Sequence, residues 1–382
     1  MAAAPQQAAA AAVPFVRGSS LATMQDFSST YTAGSTNQVQ LQTNAFLAYL
    51  VLDINLTTSG NTASVTFAAN DSPWTVLSQV YLNDPANQAI IAPISGYGLY
   101  LMNKYLTDSG CFFDPAQDPN YSTTTGTGGT GGSFSLRLVV PVEHRHRDAL
   151  GAVNNSAANQ RYLLGFTIIS AFSSLYGTPP TTAASTVSIS ATQLYWTSPP
   201  ASITTSGGST PVQGTPSGLG TVGFVRYERH NEVSGGGTPQ IQLNNVGDYI
   251  SGLIFVLRNS SNARITGTDW PSPFTWWVND FQVHSVTLNM YIRYLARFYR
   301  YTAAINTATS VSAGGLDLGV FPLPWLVDLF DKVENFAPAS QYLPTDATTK
   351  LQIRGATFGS NSSYLEVYTR AVRPVSGAAL FA

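Results

Sequence analysis

Gln38–Leu56 reads QVQLQTNAFLAYLVLDINL, and Gln240–Arg258 says nearly the same again as QIQLNNVGDYISGLIFVLR. Each copy opens on Gln, Val or Ile, Gln, Leu and then runs into an apolar segment. Each closes near an asparagine, Asn55 or Asn259, with Ser and Thr residues after it. Two further echoes keep the order: Phe15-Val16-Arg17 returns as Phe224-Val225-Arg226, and Ser72-Pro73-Trp74-Thr75 returns as Ser272-Pro273-Phe274-Thr275. Phe224 follows Phe15 by 209 positions, Gln240 follows Gln38 by 202, and Ser272 follows Ser72 by 200. Ordered matches at a nearly constant offset mark a duplicated domain. The chain reads as two similar β-domains in tandem.

Composition sets the bounds. The 382 residues suit two domains, and a 44% hydrophobic content lets each bury a core. Charged residues make up only 10%, against about 25% in ordinary soluble proteins. Solubility then rests on Ser, Thr, Asn and Gln, or partners cover much of the surface. The net charge of −2 argues against a sequence-specific nucleic-acid binder, which carries a basic face. Cys111 is the sole cysteine, which excludes an intrachain disulfide and fits folding in the cytoplasm. Beside Phe112 and Phe113 it reads as a small buried hydrophobe. The Ala-rich start lacks a basic n-region, so no signal peptide is expected. Apolar runs such as Ala45–Leu52 fall far short of the ~20 residues that cross a bilayer.

Along the chain, strands dominate. Leu50, Leu52, Ile54 and Leu56 alternate with Val51, Asp53 and Asn55, the period of a sheet with one buried face. Ala63, Val65 and Phe67 alternate likewise, as do Leu136, Leu138, Val140 and Val142, where Pro141 signals a strand end. Tyr162–Ile169, Val187–Trp196, Leu351–Thr357 and Tyr364–Arg370 add β segments rich in branched and aromatic residues. Helices are expected at Tyr97–Leu106, at Met290–Tyr301 and at Trp325–Phe336. In the second of these, Tyr291, Tyr294, Leu295 and Phe298 share one face and Arg293, Arg297 and Arg300 another. The divisions are an N-terminal arm at 1–20, a first domain at 21–196, a Pro/Gly/Ser/Thr linker at 197–221, a second domain at 222–371 and a tail at 372–382. Ser122–Ser133 reads as a flexible loop.

The search for chemistry returns little. Gly126, Gly128 and Gly131 match G-x-G-x-x-G, but no strand leads in and no helix follows. No phosphate loop and no G-x-S-x-G are present, and the carboxylates are scattered. His144 and His146 in EHRHR would share one side of a strand as two metal ligands do. A metal site needs three or four ligands, and here Arg145 and Arg147 flank the pair with positive charge. No metal or cofactor is expected. The cluster His144, Arg145, His146 and Arg147 reads as a solvated or interface group, and the Arg293, Arg297, Arg300 stripe as a solvated or inter-subunit helix face. A paired histidine at an interface would make assembly pH-sensitive. Trp74, Trp196, Trp270, Trp276, Trp277 and Trp325 suit core or interface anchors, with sugar stacking as the alternative.

Duplicated β-domains with helices, low charge and no catalytic constellation resemble the double jelly-roll major capsid proteins of tailless, membrane-containing double-stranded DNA phages, the tectivirus type. The resemblance runs from about Phe15 to Arg370 and includes Ser72–Tyr105 and Val139–Ile168. It implies an all-β chain of two tandem eight-stranded jelly rolls with a few short flanking helices, and no enzymatic activity. It further implies homotrimers that form pseudo-hexagonal capsomers and tile an icosahedral virion shell. Penton and minor capsid proteins and an internal membrane would be further partners. Met1–Pro14 and Val372–Ala382 would face inward or between capsomers, with Ser122–Ser133 and Thr197–Thr221 exposed. A virion spike or cell-surface β-sandwich, and a carbohydrate-binding protein, are the competing readings.

Overall fold

The computed structural model describes residues 12–59, 61–68, 71–106, 114–127, 129–159, 161–205, 208–216, 222–244, 248–299, 314–324, 343–346 and 348–373. The first half carries eight principal strands: β1 Leu21–Thr32, β2 Thr36–Gln40, β3 Phe46–Leu56, β4 Leu77–Asn83, β5 Ala89–Ile94, β6 Phe134–Pro141, β7 Leu163–Ile168 and β8 Thr186–Trp196. Helix α1, Gly96–Tyr105, stands between β5 and β6. One sheet has the order β1-β8-β3-β6 and the other β2-β7-β4-β5. Strands that alternate between two facing sheets in this order form a jelly roll.

The second half repeats it place for place. Its strands are β9 Val222–His230, β10 Ile241–Leu243, β11 Tyr249–Arg258, β12 Phe274–Val278, β13 Phe281–Val286, β14 Val320–Pro324, β15 Leu351–Ile353 and β16 Tyr364–Arg373. Helix α2, Leu288–Tyr299, stands between β13 and β14. The sheets run β9-β16-β11-β14 and β10-β15-β12-β13. The fold is a double jelly roll.

The repeated stretch is the backbone of both rolls. Gln38–Gln40 lies in β2 and Phe46–Leu56 is β3; Ile241–Leu243 and Tyr249–Arg258 are β10 and β11. In β3 the side chains of Leu50, Leu52, Ile54 and Leu56 are buried, as their alternation predicts. The Ser-Pro echo also holds, because both Ser72–Pro73 and Ser272–Pro273 are cis. The Phe-Val-Arg echo does not. Phe15–Gly18 is a single helical turn, whereas Phe224–Arg226 lies inside β9. Phe15 is instead a plug, packed with Phe46 and Trp196 at the end of the first roll.

The two rolls share one sheet and one core. Ile91 of β5 bridges Val225 of β9 in parallel, so the β2-β7-β4-β5 sheet continues into β9-β16-β11-β14 as a nine-stranded sheet. A contiguous apolar cluster runs through both halves, from Leu41 and Leu52 to Phe255 and Tyr368. Other expectations shift in detail. The stretch between the rolls carries a small hairpin, Ser202–Thr205 with Gly208–Pro211. The loop after β-segment Ser122–Thr123 is tied down rather than loose: Val65 bridges Gly126, and Thr58 and Asn61 both donate to the Gly131 carbonyl. Tyr176 closes it by donating to Gly132. Of the Ala63–Phe67 segment only Thr66–Phe67 is a strand. β15 stops at Ile353 because Gly355, at φ 77°, turns the chain. β16 runs on through Val372 to Arg373. The helix expected at Trp325–Phe336 and Cys111 lie outside the described residues.

Candidate functional site

Nothing among the described residues forms a cluster of three or more metal-ligating side chains. The most elaborated polar chemistry lies at the seam between the rolls, and α1 is its centre. Seen alone, α1 is apolar almost all round; every residue but Lys104 is buried, as befits a helix enclosed on all sides. Ser95 caps it by accepting from the Gly98 N–H at 3.0 Å. Asn103 pins it to β6, donating to the Val139 carbonyl at 2.7 Å and accepting from the Val139 N–H at 2.8 Å.

Two charge clusters, one on α1 and one on Asp71, reach the second roll. Lys104 lies 3.0 Å from Asp317 and 3.2 Å from Asp114. Tyr105 and Tyr100 donate to Asp317 at 2.9 and 3.2 Å, and the Gly314 N–H donates to Asp114. In the other cluster, Asp71 of the first roll holds Arg258 at 2.7 Å and Arg264 at 3.0 Å, and Arg258 also pairs with Glu366 at 2.7 Å. Burial opposes the charge on Arg258, but Asp71 and Glu366 outweigh it and push its pKa up. Burial pushes the Tyr97 and Tyr100 phenols well above their ordinary range, so both stay neutral. Fully satisfied buried charges of this kind fix one geometry, because any shift strands a charge away from water.

The EHRHR stretch ends at the same seam. Pro141 ends β6, and the chain turns inward instead of continuing as a strand. Glu143, His144 and Arg145 are buried inside the chain, so His144 and Arg145 are not solvated. Glu143 accepts from Tyr49 at 2.7 Å and Trp196 at 2.6 Å and contacts His146 Nδ1 at 2.8 Å. Arg145 forks onto Asp148. Arg370 of β16 donates to the carbonyls of Leu106, Glu143 and His144. His144 and His146 therefore do not share a face: His144 is enclosed, and His146 sits half-exposed on a short 3-10 turn, His146–Asp148. The backbone of Arg147 is on that turn. Hydrogen bonding to Glu143 raises the His146 pKa against burial, while burial, then Arg370 and Arg145, drives that of His144 well below its ordinary value.

On α2, Tyr291 and Leu295 face the core and Arg293 is exposed. Arg300 and the side chain of Arg297 lie outside the described residues. Trp74, Trp196, Trp270 and Trp276 are buried, and Trp277 lies under the Arg354 guanidinium at 4.0 Å. The four buried indoles fill the core. Sequence reasoning missed Asp71, Asp317, Arg258, Arg264 and Arg370. They come from distant stretches, and nothing local marks them.

No protein-family model and no curated protein sequence matches the chain. Its fold, however, is shared with virus capsid proteins. The STIV major capsid protein, from Sulfolobus turreted icosahedral virus, superposes with a TM-score of 0.60 at 14% identity, over 93% of this chain and 97% of that one. VP54 of PBCV-1 gives 0.59 at 10% identity, over 94% and 95%. The major capsid protein of bacteriophage PM2 gives 0.51 at 11% identity, over 94% and 99%.

Proposed function

We propose that this chain is a major capsid protein, which trimerises into pseudo-hexagonal capsomers and tiles an icosahedral virion shell. The observation that carries this reading is the end-to-end match to the fold of the STIV major capsid protein, over 93% of one chain and 97% of the other. The seam supports it physically. A shell block must hold its shape under load, and two rolls sharing a sheet, a core and two buried charge clusters form one such block. Low charge suits a surface covered by permanent neighbours. Its role is structural, and its place is the virion, after folding in the host cytoplasm. Exposed Arg293, with Arg297 and Arg300 beside it in sequence, and Arg147 near half-exposed His146, are assigned to neighbour contacts. Penton or minor capsid proteins and an internal membrane are the further partners of this reading, which needs no cofactor.

Light scattering on the purified chain, followed by negative-stain imaging of the same peak, tests it. The expected result is a particle of three times the 40.7 kDa chain mass with a hexagonal outline. A monomer that never assembles would overturn the proposal.

A further inference from the structure

The two rolls are joined edge to edge by one rule: the fifth strand of the first roll, β5, runs parallel to the first strand of the second, β9, with Ile91 against Val225. Because the second roll repeats the first, the chain holds one more strand of each kind. β13 is the fifth strand of the second roll and β1 the first strand of the first roll. Among the described residues each ends its sheet as an edge strand.

The open edges carry the side chains that the closed joint uses. Ile91 stands three residues before the end of β5, and Val283 three before the end of β13, each strand leading directly into a helix. Ile91 is 1% exposed, but Val283 is 46% and its neighbour Phe281 78% exposed. On the other partner, the repeat aligns Leu47 with Tyr249, which pair with Tyr195 and Val372. These pair in turn with Ala22 and Gly223, so Met24 occupies the place of Val225. Val225 is buried, whereas Met24 is only half-buried and Leu21 at the start of β1 is exposed. The large apolar side chains left exposed among the described residues are Leu21, Phe281, Val283 and Met290. They fall on β1, on β13 and on α2 next to β13, and on no other element.

An apolar edge strand in water is a template for another chain. We propose that β13 of one copy docks against β1 of a second copy, in the parallel arrangement by which β5 meets β9 within the chain. The contact is head-to-tail, and such contacts form rings when their rotation closes. Since each chain brings two rolls and one internal joint of the same kind, three chains complete a ring of six rolls with six like joints. The number three rests on the capsid reading; the strand pair does not.

Cysteine cross-linking tests it in a Cys111→Ser background, which leaves no native thiol. A chain carrying both Met24→Cys and Val283→Cys should, on mild oxidation, give a ladder ending at a covalent trimer. Chains with either cysteine alone should give none, and a mixture of the two single variants should give covalent dimers. Exchanging Val283→Cys for the exposed Ser173→Cys should abolish the ladder. Independently, the pair Phe281→Asp and Val283→Asp should lower the trimer fraction at least tenfold, with the circular dichroism spectrum unchanged. If the natural chain is trimeric yet the Met24/Val283 pair cross-links no better than the Met24/Ser173 pair, the strand assignment is wrong and the capsid reading stands. If the natural chain is monomeric, both fall.

Discussion

Lys104 of the first roll and Asp317 of the second meet at 3.0 Å with side chains only 3% and 0% exposed. Asp114 shares the same ammonium at 3.2 Å. Two carboxylates that converge on one buried cation depend on it, because neither can turn to water. Lys104→Met should therefore destabilise the chain by about 3–5 kcal/mol, the range for stripping one partner from a buried pair. Urea unfolding of the variant beside the natural chain measures it. A loss below about 1 kcal/mol, the value of an exposed pair, would mean that water reaches the cluster.

The seam also predicts cooperativity. Separate domains with a modest polar interface melt independently, but here Asp71 of one roll binds Arg258 and Arg264 of the other. The natural chain should unfold in one calorimetric transition. Asp71→Ala, which takes the shared carboxylate from two buried guanidinium groups, should lower that transition as a whole or split it in two. Two transitions in the natural chain would show that the rolls are thermally independent.

How far the sequence disclosed this arrangement differs from element to element. The sandwich strands were legible because a sheet with one buried face alternates: Leu50, Leu52, Ile54 and Leu56 are all buried. The duplication was legible in the QVQL and QIQL stretches, which occupy equivalent strands. The Phe-Val-Arg match misled, since three residues carry no register, and one copy is a helical turn. EHRHR looked like a surface by its charge, yet its charges are met within three residues, Glu143 by His146 and Arg145 by Asp148. That spacing was the available signal. The pairing of Lys104 with Asp317 had none, because it depends on how the two rolls sit together. The open edges were equally hidden, since Phe281 and Val283 alternate like any buried strand.

Gly98 offers a steric probe of the seam. It lies within α1, where alanine would ordinarily favour the helix by about 1 kcal/mol. A Cβ built there would stand 2.6 Å from the ring of Tyr368, a buried side chain of β16. Gly98→Ala should thus destabilise by about 1–3 kcal/mol, as overpacking does. A thermal melt suffices to read the sign, and a gain in stability would show that the rolls can part to admit a methyl group.

The two histidines of EHRHR respond to pH in opposite directions. His144 is enclosed, with Arg370 and Arg145 facing it, and its folded pKa lies well below the ordinary value. Below about pH 6.5 the unfolded chain takes up a proton that the folded site refuses. Stability then falls as pH falls, by up to about 1.4 kcal/mol per pH unit for this one group. His146 is raised by its hydrogen bond to Glu143, with burial opposing. Its contribution is present below the unfolded pKa and lost as pH rises through the folded one. Melting temperatures of the natural chain, His144→Gln and His146→Gln between pH 5 and pH 8 separate them. His144→Gln should flatten the acid side of the profile, and His146→Gln should remove a loss of stability on the neutral side. If His144→Gln keeps the full acid slope, His144 does not set the acid limit.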